Sequence, residues 1–424
     1  MEFDLTKRHC YYFNEIAKIP HGSYNEKALS DHLVDFAKDH GLEHIQDPMG
    51  NVVIYKEGTG KDKDHEPLIL QAHMDMVAEK NKDSAHDFLK DPLELYVEDG
   101  FLKAKGTTLG ADDGTGVAYM LAILDDDSLV HPPLECCFTV QEEVGLLGSQ
   151  VLKAEYFKGK RMISLDGGGE VKTGISAAGG CIFTADRPYT KEPVDGSGYI
   201  LKIRGLSGGH SGGEIHKEKG NANTLAVRML EELADKTLRL VSIDGGLKDN
   251  AIPRECDVVF TSTLSEIEVK GSLDKSAKAI TEELEYSDPD FFYELEKTEV
   301  EMTMSKADTE AILDFIYLAP NGFRHRSMAI EGLTLTSLNM GVIKTDETRL
   351  EITISIRSAL ESGIDNLVNI LKKLALTFGL TYSTSARYPG WNYVKESKMR
   401  EIFREVLKKT TGQDLIEEAA HGGN

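Results

Sequence analysis

The chain has 424 residues, 40% of them hydrophobic, with 48 Lys plus Arg against 71 Asp plus Glu and a formal net charge of -23. A field of that sign repels nucleic acid and anionic membranes, and it suits a soluble cytoplasmic protein that attracts cations; an acidic surface with no mechanistic role carries the same balance. The length exceeds one ordinary core and predicts two domains, and no run reaches the roughly 18 apolar residues of a membrane span.

The opening MEFDLTKRHCYYF lacks the basic start and continuous apolar stretch of a signal peptide. Ser23 and Glu26 then predict a capping box, followed by Leu29, Leu33, Phe36 and Ala37 at helical spacing and Gly41 as a stop. Short apolar runs predict strands at 52–55, 68–72, 134–140 and 161–165, with a buried helix over 114–124. This alternation predicts an α/β fold, a mostly parallel sheet flanked by helices on both faces. Cys136 and Cys137 fall in one strand with side chains on opposite faces, and Cys10, Cys181 and Cys256 complete an odd set without a CxxC pair. Buried free thiols in a reducing cytoplasm fit that usage.

The pattern changes near Asp186. Long alternating strands, such as Leu350, Ile352, Ile354 and Ile356 with polar residues between, interleave with helices predicted over 223–233 and 365–376. Strand-to-helix units near 199–233 and 350–376 hint at an internal duplication without residue identity. After Tyr388, Pro389, Gly390 and Trp391, the last read as core packing, a helix over 397–409 and a strand over 414–420 suggest a return to the first domain. The expected organisation is a catalytic domain over 1–187, an inserted α+β lid or dimerisation domain over 188–385, and a return segment over 386–424.

Four strand exits carry the chemistry. In LILQAHMDMV, His73 and Asp75 lie two apart on one face, so the carboxylate can hold one imidazole nitrogen and aim the other at a metal. An ordinary polar strand end reads the same way. GADDG places Asp112 and Asp113 before a helix; they suit an N-cap pair or a cation, which adjacent carboxylates need to relieve their repulsion. Glu142 and Glu143 follow an apolar strand and diverge, so one can bind metal while the other reaches an attacking water, or both are a solvated pair leading into a turn. Asp166 ends the next strand before three glycines, as a ligand or a turn aspartate. Ligands of open α/β sheets gather at strand carboxyl ends, and a set of oxygen and nitrogen donors without thiolate favours zinc, manganese or cobalt in a hydrolytic pair of ions.

HMD, GADDG, QEEVGLLG and SLDGG, in this order, resemble the co-catalytic zinc peptidases of the aminoacylase and carboxypeptidase clan, and within it the aminoacyl-histidine dipeptidases. The similarity extends to IPHGSYNE, GLSGGHSGGEIHKEKGNAN and RYPGW, and covers nearly the whole chain. It implies hydrolysis of Xaa-His and similar dipeptides, a homodimer through the inserted domain, and two Zn2+, with Co2+ or Mn2+ as substitutes. His73 and Asp166 would hold one ion, Glu143 and His421 the other, and Asp112 would bridge them. Asp75 would orient His73, Glu142 would be the general base, and the Asp112–Asp113 peptide would be cis. Water acidified between the ions would lose its proton to Glu142, which would return it to the departing amine. His210, in GGHSGG, would supply the oxyanion donor, with His216 as a nearby competitor for that role. Arg357 would grip the substrate carboxylate, a solvated strand arginine being the alternative, and Asn250, in DNAIPRE, would contact substrate.

The family continues for several dozen residues beyond its last metal histidine, whereas EEAAHGGN ends this chain three residues after His421. The expectation is a fragment or a truncated gene, with His421 on a frayed terminus and apolar surface left uncovered. Two other activities stand beside the dipeptidase: an N-acyl amino acid amidohydrolase of the same clan, and an inactive metal-binding homologue.

Overall fold

Helical spacing of apolar residues forms the first two elements, α1 (Arg8–Ile16) and α2 (Lys27–Asp39). The computed structural model describes residues 3–231, 233 and 237–423. Its contacts divide the chain into two units, Met1–Glu170 and Val171–Asn424. Helix α2 buries Leu29, Leu33, Val34, Phe36 and Ala37, and a fully buried leucine contributes about 1.5–3 kcal/mol. The expected capping box is absent: the N-cap is Glu26, with no side-chain cap. Its Oε1 accepts the Tyr24 and Gln141 amides instead, and the Ser23 hydroxyl donates to Asp75. A buried carboxylate that lacks donors outcompetes a cap on an exposed helix end.

The remaining elements of the first unit are β1 (His44–Gln46), β2 (Val52–Lys56), β3 (Leu68–His73), the hairpin β4 (Leu95–Glu98) and β5 (Phe101–Ala104), α3 (Ala111–Asp125), β6 (Leu134–Thr139) and β7 (Arg161–Ser164). The main sheet runs β1-β2-β6-β3-β7. It is mixed: β3 is parallel to β6 and β7, while β2 is antiparallel to β1 and β6. A short turn joins β1 to β2, which permits only antiparallel pairing. The parallel trio puts the exits of β3, β6 and β7 at one end of the sheet, where a ligand site forms. Helices α1, α2 and α3 share one apolar core with the sheet. Lys56, 7% exposed, donates to the carbonyls of Ile123, Leu124 and Asp126 and so satisfies the C-terminal end of α3.

In the second unit a large antiparallel sheet runs in the order Phe292–Thr298, Ser197–Arg204, Cys256–Ser262, Arg239–Gly245, Thr334–Thr345, Arg349–Ser358, Gly179–Pro188, Thr381–Tyr388, with Gly322–Arg326 added on Thr334–Thr345. Leu350, Ile352, Ile354 and Ile356 are fully buried, as their alternation requires. Helices Ala222–Glu231, Glu266–Glu283, Lys306–Leu318 and Glu361–Thr377 contribute to the same core. The two strand-to-helix units occur where expected but connect differently, one through a long loop carrying His210 and the other through residues 359 and 360 alone.

The division at 170/171 falls before the 187/188 boundary expected from sequence, and 386–424 lies in the second unit. Within it, Ile416–Ala419 pairs in parallel with Lys172–Ser176, and Trp391 bridges to Ala177. Trp391 is 40% exposed rather than core, lying against Gly174, which has no side chain to cover it. The segment around His421 is not frayed: the Ala420 amide donates to the Ser176 carbonyl, the Ala178 amide donates to the Gly422 carbonyl, and His421 is buried. Among the described residues no helix is long and apolar enough to cross a membrane.

Candidate metal centre and active site

His73 closes β3, fully buried, and its two nitrogens face different groups. Nδ1 lies 2.9 Å from the Asp75 carbonyl and 3.5 Å from Asp75 Oδ1. Nε2 faces 3.0 Å to Asp112 Oδ1, 3.9 Å to Glu142 Oε2 and 3.9 Å to Asp166 Oδ2. Ligand atoms of His73, Asp112 and Glu143 all lie within 4.8 Å of one another. Carboxylates from three further chain segments thus meet around one imidazole nitrogen, and the Asp112–Asp113 peptide is cis as the resemblance implied.

Asp75 is itself held. Its Oδ1 accepts the Glu142 amide at 2.9 Å, and its Oδ2 accepts Ser23 Oγ at 2.8 Å and the Glu143 amide at 3.3 Å. One buried carboxylate therefore contacts the His73 ring and fixes the backbone of both glutamates. Asp113 does not join the set; its Oδ1 accepts the Gly116 amide and its Oδ2 is buried without a partner among the described residues.

The electrostatics follow from packing many acids into a small volume. Burial alone opposes a charged His73, but the hydrogen bond to Asp75 and the charges of Asp166 and Glu142 push it up to about 10. Burial, opposed by His73 and reinforced by Asp166 and Glu143, pushes the Glu142 carboxyl up to about 7. Burial and Asp166 push Asp113 to about 7. Glu143 and Asp166 are raised by burial and by Asp112. Burial works to raise Asp75 too, yet its hydrogen bonds from His73, the Glu142 amide and Ser23 hold it below the usual carboxylate range. The cluster therefore holds protons on His73 and shares them with Glu142 and Asp113 near neutral pH.

The second unit gathers the other residues singled out by sequence. His210 is exposed at the end of strand Gly209–His210, and its Nδ1 accepts the Gly212 and Gly213 amides at 3.2 and 3.1 Å. That leaves the proton of the neutral ring on Nε2. Burial and Arg357 keep its pKa below the ordinary value. His421 Nε2 lies 2.7 Å from Ser337 Oγ, and its Nδ1 is buried without a well-formed hydrogen bond among the described residues. Burial and Arg357 push His421 down to about 4, so it is a neutral imidazole. Arg357 donates from Nη1 to the Tyr388 hydroxyl at 3.3 Å, and its Nε is buried without a described partner. Asn250 sits in an exposed turn where its carbonyl accepts the Ser211 amide. His216 is exposed on the short turn of helix Ile215–Lys217.

Residues 201–289 match a peptidase dimerisation domain, that of the M20 peptidases. The chain is 36% identical over 423 residues to the cytosol non-specific dipeptidase of Escherichia coli, covering 97% of this chain and 86% of that protein. The chain belongs to the M20 dipeptidase family. The crystal structure of aminoacylhistidine dipeptidase from Vibrio alginolyticus superposes on this M20 dipeptidase with a TM-score of 0.91 at 33% identity, covering 100% of this chain and 88% of that one. Aminopeptidase PepT from Bacillus cereus shares the fold at a TM-score of 0.53 and 15% identity, over 100% of this chain and 86% of the other.

The family implies a divalent metal, and the donors of this M20 dipeptidase fit one. An imidazole nitrogen and several carboxylate oxygens converge without thiolate, and the carboxyls of Glu142 and Asp166 are raised first by burial and then by neighbouring acids, a repulsion that a cation relieves. Ser23 and Glu26 bond to Asp75 and to the Gln141 amide rather than forming the expected helix cap. Nothing local separates their spacing from a capping box; only the pairing of the 21–26 loop with the Met76 and Gln141 backbone reveals them.

Proposed function

We propose that this M20 dipeptidase hydrolyses unblocked dipeptides of the Xaa-His type, with broad tolerance, using two zinc ions. The observation that carries the reading is the convergence of Asp112, Glu142 and Asp166 on His73 Nε2, with Glu143 in the same cluster. His73 and Asp166 are assigned to one ion, Glu143 and His421 to the other, and Asp112 to both; the neutral ring of His421, with a buried nitrogen lacking a well-formed hydrogen bond among the described residues, supports its assignment. Bound zinc would polarise the scissile carbonyl and acidify water.

The chain's own groups do the rest. Glu142, with Oε2 3.9 Å from His73 Nε2 and its amide held by Asp75, is placed to take a proton from the attacking water and return it to the departing amine. Asp75 holds the His73 ring and the Glu142 amide at once, which orients base and ligand together. His210 is assigned as the oxyanion donor, supported by a tautomer that leaves Nε2–H free to donate. Arg357 is assigned to the substrate carboxylate and Asn250 to substrate contact. The match over 201–289 supports a homodimer through the second unit, and the cytosolic relative supports a cytoplasmic location.

Turnover of free Xaa-His dipeptides beside N-acylated amino acids, with zinc counted per chain, tests this. Two zinc ions and preference for free dipeptides support it. Preference for acylated substrates would reassign the chain to the amidohydrolases, and no turnover with one zinc or none would make it an inactive metal binder.

A further inference from the structure

Glu142 and Glu143 sit on a loop, 140–148, that leaves β6 and returns on itself. Gln141, Gly145 and Leu146 have positive φ, and the Glu142 carbonyl accepts the Gly145 and Leu146 amides, so the loop is tightly wound. Its neck is narrow: the Gly148 amide donates to the Val140 carbonyl at 3.1 Å. One buried side chain spans that neck. Asn51, 1% exposed, accepts the Val140 amide on Oδ1 at 3.0 Å and donates from Nδ2 to the Gly148 carbonyl at 2.9 Å.

Asn51 is in turn locked. Its Nδ2 also donates to Asp47 Oδ2 at 2.7 Å, while Asp47 Oδ1 accepts the amides of Met49, Gly50 and Asn51 at 2.8–3.0 Å. Both protons of the Asn51 side-chain nitrogen and its oxygen acceptor are thus committed, which leaves it one orientation. A Cβ on residue 148 would lie 2.2 Å from the Val140 carbonyl oxygen and 2.6 Å from Asn51 Oδ1, so the clamp closes only over glycine. An amide joining both ends of a loop resists changes in its height and tilt, and here the loop carries two carboxylates directed at one imidazole.

We propose that Asn51, locked by Asp47, is a positioning residue for hydrolysis: by clamping Val140 to Gly148 it sets the placement of Glu142 and Glu143 beside His73. The inference rests on the assignment of Glu142 as base and Glu143 as ligand. Asn51 touches neither substrate nor metal in this account and acts only through the loop.

Zinc-loaded protein, dipeptide kinetics and melting temperature test it together. Asn51→Asp keeps size and the acceptor for Val140 but sets an oxygen against the Gly148 carbonyl and Asp47. Its kcat should fall about 10–100-fold at saturating zinc, with KM within about threefold, as a misplacement near 1 Å produces. The double variant Asp47→Asn/Asn51→Asp exchanges donor and acceptor between the two side chains, so it should regain melting temperature while Gly148 still lacks its donor and kcat stays low. Gly148→Ala, which opens the neck from the other side, should lower kcat to a similar degree. If Asn51→Asp does not fold, the other two variants decide. Recovery of kcat together with melting temperature in the double variant overturns the proposal, as does turnover within twofold of wild type in Asn51→Asp or, where that variant does not fold, in Gly148→Ala. Glu142→Gln run in parallel separates the claims: if it keeps full turnover, the base is misassigned, whereas its inactivity beside unaffected clamp variants defeats the clamp alone.

Discussion

Replacing Asp75 by asparagine removes a charge and one acceptor from a fully buried site while keeping its volume. The rise of His73 from about 6.5 in an unfolded chain to about 10 corresponds to roughly 5 kcal/mol of support for the imidazolium in the metal-free protein. Asp75 shares that support with Asp166 and Glu142, which makes its part about 2 kcal/mol. Asparagine also turns an NH2 toward the donors of Glu142, Glu143 or Ser23, leaving one buried donor unpaired at a cost of about 1–3 kcal/mol. The total, about 3–5 kcal/mol, agrees with the cost of breaking a buried charge pair. The sign with pH follows from a folded pKa above the unfolded one: His73 contributes fully below about 6.5 and loses its contribution as pH rises through about 10. Hydrogen exchange of the β3 amides in metal-free protein at pH 6, 7 and 9 measures this. Wild-type protection should fall from pH 6 to 9, and Asp75→Asn should start lower and fall less. A loss below about 1 kcal/mol at pH 7, or wild-type protection that grows toward pH 9, would refute the charge balance argued for the site.

Glu142→Gln should reduce turnover at least about 10²–10⁴-fold while leaving zinc content unchanged; loss of zinc instead would mean that the two glutamates have exchanged roles. Chelation should abolish activity, and zinc added back should displace the His73 proton, so calorimetry in two buffers of different ionisation enthalpy should detect net proton release at pH 7. His421, pushed down to about 4, contributes stability to the metal-free protein that is full above about 6.5 and lost as pH falls toward 4, roughly 3 kcal/mol in all. His421→Asn should flatten acid denaturation over that window, and an unchanged acid limb would contradict its burial as a neutral ring.

Much of the site was legible because parallel strands deliver side chains to one end of a sheet, so His73, Glu142, Glu143 and Asp166 could be read from three apolar runs that end in acids or histidine. The cis Asp112–Asp113 peptide came from resemblance, since two adjacent aspartates before a helix equally suit an N-cap. Ser23 was illegible for a physical reason: a hydroxyl three residues before a glutamate fits a cap, and its actual partner, Asp75, lies 52 positions away. Asn51 is the same kind of case, an amide in an ordinary turn whose partners Val140 and Gly148 become neighbours only when β2 and β6 pair. The mixed character of the first sheet was hidden because an apolar strand buried on both faces reads alike whether its neighbour runs parallel or antiparallel. Trp391 shows the limit of composition, for a large aromatic can lie half-exposed over a glycine.

Zinc-edge anomalous diffraction from crystals of the zinc-loaded protein would show whether the side chains around His73 share one metal centre. Metal is expected about 2.0–2.2 Å from His73 Nε2 and from carboxylate oxygens of Asp112, Glu143 and Asp166. Anomalous density elsewhere in the chain, with the His73 ring still bonded to Asp112 and no ion between them, would contradict it.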